Sequence, residues 1–121
     1  MARGIAAGAA AAMLPVFGMH LILAAVLAWV SRGSLAAAAA ACLAFGNPLT
    51  HALLIPAEYA VGRALLPHDI DFLPAGAPHW MQRALPAAEE TLVGGLLFGL
   101  VAAAVAYLVA SRALAAARPR N

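Results

Sequence analysis

"AFGNPLTH", residues 44–51, interrupts a run of hydrocarbon side chains with an asparagine, a proline, a threonine and a histidine. Such a stretch ends one helix and begins another. Asn47 accepts from the orphan N–H groups of a helix start as its N-cap. Pro48 is tolerated at the first helical position, where its missing N–H would have been unpaired anyway. The partial positive charge of the new helix then points at the break.

The rest of the chain says what surrounds that break. Of 121 residues, 65% are hydrophobic and 10% charged, and the mean hydropathy is +0.92, whereas a soluble domain carries roughly 25% charged residues. A water-facing surface cannot be built from this composition, so lipid is expected to cover much of the protein. The net charge of +2 comes from seven arginines against five carboxylates. The arginines are spread from Arg3 to Arg120, which gives no nucleic-acid footprint. Cys42 is the single cysteine, which excludes an intrachain disulfide. The start, "MARGIAAGAAAAML", resembles a secretory signal, but apolar sequence resumes at once in "LILAAVLAWV" and the segment reads better as a first membrane element.

"LVGGLLFGLVAAAVAYLVA", Leu92 to Ala110, carries no charge and has close to the roughly 20 residues that cross hydrocarbon. Tyr107 suits the interface, and Arg112, Arg118 and Arg120 behind it put the C-terminus in the cytoplasm by the positive-inside rule. The preceding segment, 67–91, contains four prolines and reads as a polar connection, too proline-rich for one helix, with a short helix at "HWMQRAL" lying flat. Residues 2–66 are apolar but broken at "LPVFG", "SRGS" and "GNPLT". Helices of about 12 residues reach only about 18 Å, short of the roughly 30 Å core, which predicts half-helices or tightly packed hairpins.

The pieces also look duplicated. "ARGIAAGAAAAMLPVFGMHLILAAVLAWVSRG" aligns with "SRGSLAAAAAACLAFGNPLTHALLIPAEYAVGRA" at a period of about thirty residues, which pairs His20 and Arg32 with His51 and Arg63. Matched breaks in two halves are the best sequence pointer to a membrane binding site, because irregular backbone survives at membrane depth only where protein or water covers it.

At these residues the chain resembles a bacterial integral-membrane family, domain of unknown function 2062. "P-x-x-G-x-H" followed at this spacing by "NPLT", with "VGRALL" closing the helix and a last span running into arginines, carries the resemblance. Arg32-Gly33-Ser34 departs from the arginine-asparagine that members usually show there. The resemblance implies a bacterial inner-membrane protein and no settled activity, although some relatives are associated with exopolysaccharide production and glycosyltransferases.

The candidate ligand-binding residues are Pro15, Gly18, His20, Asn47, Pro48, Thr50, His51, Glu58 and Arg63. The bland alternative is that Asn47, Pro48 and Thr50 only cap a helix and that the two histidines are hydrogen-bonded packing groups. Pro56 should kink or end its helix. Glu58, near the face of His51, would relay protons, pair with Arg63 or reach the interface. His68, Asp69, Asp71 and His79 match no metal-site spacing, so no metal and no cofactor are expected. Gly4-x-x-x-Gly8, Gly95-x-x-x-Gly99 and alanines 36–41 read as helix-packing surfaces, within the chain or between copies. No nucleophile triad, phosphate loop or carboxylate pair is present, which argues against an enzyme.

The reading is an all-α polytopic membrane protein. Residues 1–66 form a membrane domain of two similar broken, re-entrant-like helical hairpins (2–33 and 32–66) packed face to face. A connection (67–91), a C-terminal transmembrane helix (92–114) and a basic tail (115–121) follow. The expected role is a transporter-like or lipid-handling module of the inner membrane that takes an anionic lipid, a lipid-linked sugar precursor or a small anion at the breaks. The alternative is an accessory subunit or assembly factor of a larger membrane complex, and a channel-like reading ranks third. The expected partners are the bilayer and a second copy or another membrane protein, and no nucleic acid.

Overall fold

The computed structural model describes residues 1–16, 18–66 and 76–119. Those residues form five α-helices and no strand: α1 (Ala2–Met13), α2 (His20–Val30), α3 (Leu35–Phe45), α4 (Pro48–Leu65) and α5 (His79–Ala116). Helices of 11 or 12 residues reach about 17–18 Å, whereas 38 residues reach about 57 Å. Only α5 is long and apolar enough to cross a membrane by itself, and α3 with α4 passes the same test as one span bent by 78°.

Sequence chemistry sets the ends of the short helices. Ser34 caps α3 by accepting from the Ala37 N–H at 3.2 Å. At the end of α2 the Gly33 N–H donates to the Ala28 carbonyl at 2.7 Å and the Arg32 N–H to Trp29 at 3.1 Å. This paired closure usually puts glycine at the left-handed position. Here Arg32 holds that position at φ 54°, a conformation costing a side-chain-bearing residue roughly 1–2 kcal/mol.

Close helix approach explains the alanine and glycine content. α1 and α3 run parallel with backbones nearly touching, since a Cβ on Gly4 would fall on Ser34 and one on Gly8 would lie 2.9 Å from the Cys42 nitrogen. α5 crosses both α1 and α4. Gly99 backs onto Ala10, with its Cβ position 3.1 Å from that carbonyl, while Gly94 and Gly62 face the backbones of Glu58 and Glu90. Gly4-x-x-x-Gly8 and Gly95-x-x-x-Gly99 are thus packing surfaces within the chain, as read from the sequence. The Gly62/Gly94 pair was not singled out there.

The burial pattern is inverted relative to a water-soluble bundle. Buried side chains are alanines and Cys42, with His51 and Glu58 as the buried polar groups, while Trp29, Leu49, Leu53 and Leu100 are each at least 70% exposed. An apolar exterior of this extent marks an interaction surface.

Two expectations are corrected and a third, the kink or end at Pro56, is narrowed. The two halves do not form equivalent hairpins packed face to face. α1 and α2 fold back on each other across residues 14–19, where Gly18 takes φ 80°. α3 and α4 are separated only by Gly46 and Asn47, where the chain bends by 78° rather than reversing, and α4 packs on α5. The helix expected from residue 92 begins at His79 and passes Pro86; "HWMQRAL" forms its first turns, and Glu90 is held against Gly62. Pro56 does not end α4, which continues to Leu65.

Candidate functional site

The two breaks meet. Gly18 and His20 from the first, and Gly46, Asn47, Pro48 and His51 from the second, line one open cleft of about 410 Å³, closed on a side by Ala52 and Ile55. The His20 and His51 rings lie 5.0 Å apart between centroids, tilted by 44°. Cleft volume falls within the roughly 300–1,000 Å³ of small-ligand sites.

Each break is built differently. Asn47 is the N-cap of α4: its Oδ1 accepts from the Thr50 N–H at 2.9 Å, while its Nδ2 donates to the Ala44 carbonyl of α3 at 3.4 Å. One side chain therefore ties the end of α3 to the start of α4. With Pro48 lacking an N–H and Thr50 bound by the cap, Leu49 carries the remaining N–H of that first turn. The start of α2 has no side-chain cap, so no side-chain acceptor offsets the positive end of its dipole.

His20 stands at the first position of α2, and its Nε2 lies 2.8 Å from the Leu14 carbonyl at the end of α1. A carbonyl only accepts, so Nε2 carries the proton and the bond closes the loop between the helices. His51 is buried at the cleft wall. It begins a stripe at helical spacing on α4: His51, Ile55, Glu58, Gly62. Pro56 withholds the N–H that would bond the Ala52 carbonyl at the cleft.

Of the candidate residues, Gly18, His20, Asn47, Pro48 and His51 come together. Thr50 serves as the cap's donor. Pro15 packs instead on α5, where its Cδ lies 2.8 Å from the Cβ position of Gly95. Glu58 is fully buried between α4 and α5, and neither carboxylate oxygen has a hydrogen-bond partner among the described residues. It does not pair with Arg63, which donates from Nη1 to the Tyr59 hydroxyl at 3.1 Å on an exposed face. Gly46, Ala52 and Ile55 were missed, although Gly46 adjoins "NPLT", Ala52 follows His51 and Ile55 lies one turn beyond it. Among the described residues no group of three or more His, Cys, Asp or Glu could hold a metal; His68, Asp69 and Asp71 lie outside them.

The whole chain, residues 1–121, matches the family described as an uncharacterized protein conserved in bacteria, DUF2062. No curated protein and no solved structure matches it.

Proposed function

The chain belongs to the DUF2062 family of bacterial proteins, and on that premise we propose a polytopic inner-membrane protein whose two helix breaks form a binding cleft for an anionic ligand. α5 spans the bilayer with its C-terminus in the cytoplasm, and α1 to α4 pack beside it as short and bent membrane helices. The protein is a non-catalytic, transporter-like or lipid-handling module. The observation that carries this reading is the convergence of Gly18 and His20 with Asn47, Pro48 and His51 on one cleft.

The chemistry favours an anion. The uncapped start of α2 presents N–H groups and a positive dipole end, and a histidine stands beside each helix start. A small anion, an anionic lipid headgroup or a lipid-linked sugar phosphate meets those requirements. Glu58, one turn beyond the cleft on the same face of α4, is the group placed to couple a proton, since an ionisable side chain at such depth marks a proton or substrate path.

A second reading as an accessory subunit of a membrane complex draws on Asn47, whose amide is already occupied by Ala44 and Thr50, and on lipid-facing side chains that a partner helix would cover. The two are separated by water access. In a Cys42→Ser background, Ala52→Cys and Ile55→Cys in sealed vesicles should react with a membrane-impermeant maleimide and be protected by a bound anion, whereas Leu108→Cys, 54% exposed and lipid-facing, should not. Unreactive Ala52→Cys and Ile55→Cys, combined with co-purification of one stoichiometric partner, would select the accessory subunit.

A further inference from the structure

Far from the breaks, where α1 starts and α2 and α5 end, a second cavity opens. Arg3, Arg32 and Arg118 line a basin of about 530 Å³ together with Tyr107 and Ser111. No carboxylate among the described residues lines it. Arg3 is steered there by a bond from its Nη1 to the Ser31 carbonyl at 3.4 Å. Arg32 is kept there in the left-handed conformation described above, at a position that favours glycine.

An apolar groove of about 400 Å³ shares Arg3 and Tyr107 with the basin and continues below it between α1, α2 and α5. Its walls follow helical spacing. Arg3, Ala6 and Ala10 run down α1, while Ser111, Tyr107 and Ala103 run down α5, with Arg118 just past its end. From Ser111 to Ala103 the stripe covers about 12 Å at the α-helical rise. Alanines leave the floor open, and Leu27 flanks it.

We propose that this composite surface holds one anionic phospholipid, its phosphate in the arginine basin and an acyl chain in the alanine-floored groove. Charge complementarity argues for the headgroup, because three guanidinium groups converge with no acid among the described residues that line the basin, and arginine is the side chain suited to phosphate. The groove argues for a lipid over a free anion, since phosphate alone would leave its apolar surface uncovered. The depth agrees as well. The basin lies just beyond the uncharged stretch ending at Ala110, where headgroups stand, and the groove lies within it. The proposal rests on the membrane reading and is independent of the cleft at the breaks.

Tyr107, which lines both the basin and the groove, is the probe position. With Trp29→Phe and Trp80→Phe removing both native tryptophans and Tyr107→Trp placing one in the groove, the full chain is reconstituted in phosphatidylcholine vesicles carrying a minor fraction of acyl-brominated phosphatidylglycerol or acyl-brominated phosphatidylcholine. Quenching of the indole at position 107 then reports which lipid occupies the groove. Phosphatidylglycerol should be preferred, and each Arg→Gln change in the basin should lower that preference by about fivefold, as expected for roughly 1 kcal/mol per basic residue near a membrane surface. Arg63→Gln with Arg83→Gln, at the opposite end, should leave it unchanged. Ala103→Leu fills the groove without touching charge and should lower quenching by both lipids, which keeps the test valid if the arginine variants misfold. The assignment is overturned by an undiminished preference in the triple Arg→Gln protein, by an equal loss in the Arg63/Arg83 control, or by full quenching in Ala103→Leu. Displacement by inorganic phosphate at low concentration would overturn it in favour of a free-anion site.

Discussion

At the scale of single residues, the structure turns on a few positions with one job each. Gly94 admits no Cβ, because that atom would coincide with the carbonyl of Glu58. Gly94→Ala should therefore force α4 off α5 and cost about 1–3 kcal/mol or more, seen as a lower midpoint of thermal unfolding in detergent. Asn47 is different, because its loss removes bonds without adding volume. Asn47→Ala should cost about 1 kcal/mol through the lost cap, while Asn47→Asp keeps the acceptor for Thr50 and should recover most of it. Arg32 sets two quantities against each other. Arg32→Gly relieves the left-handed strain and should raise stability by about 1 kcal/mol, while it weakens phosphatidylglycerol retention. A variant that loses both stability and lipid preference would contradict that account of Arg32.

At the scale of helices, the two breaks join their elements differently. α2 folds back on α1, and the His20 bond to the Leu14 carbonyl closes that reversal. α4 bends from α3 by 78°, held by one amide that bonds both helices. Much of this was legible. "NPLT" announced both the cap and the proline at the first helical position, and both stand as read. The alignment of the halves did not announce that one break reverses and the other bends, because side-chain similarity carries no information about loop closure. The reach of α5 was also hidden. Pro86 looks like a stop, and it is tolerated because Glu90 and Gly94 dock against the glycine-thinned face of α4, a gain no local propensity contains. Pro56 is the corresponding case in α4. Pro56→Ala restores a donor to the Ala52 carbonyl, so amide exchange along residues 52–60 should slow, and an unchanged exchange rate would mean that this carbonyl already has another donor.

At the scale of the molecule, polarity is arranged inside out. Small residues pack the interior, Glu58 and His51 are the buried polar groups, and the large apolar side chains face outward. Charge is divided between two ends, with Arg3, Arg32 and Arg118 at one and Arg63, Arg83 and Glu90 around another surface pocket. Cys42, 2% exposed, reports on the integrity of this packing. In mild detergent it should resist a small thiol reagent and react only as the bundle unfolds, so rapid modification of native protein would show that the α1–α3 contact opens readily. That contact is Gly8 against the backbone at Cys42, and a Gly8→Leu protein should expose the thiol.

Composition alone determined that the surface would be largely apolar, since 65% hydrophobic against 10% charged residues leaves too few polar groups to cover it. Cap and turn chemistry alone determined where helices end. Only the tertiary structure decided which ends meet. The cleft joins Gly18 and His20 to Asn47 and His51, the basin joins Arg3 and Arg32 to Arg118, and Glu58 is sealed beneath Gly94 and Gly95. The physical reason is that such meetings depend on how closely two backbones approach, and that distance is set jointly by small residues on separate helices.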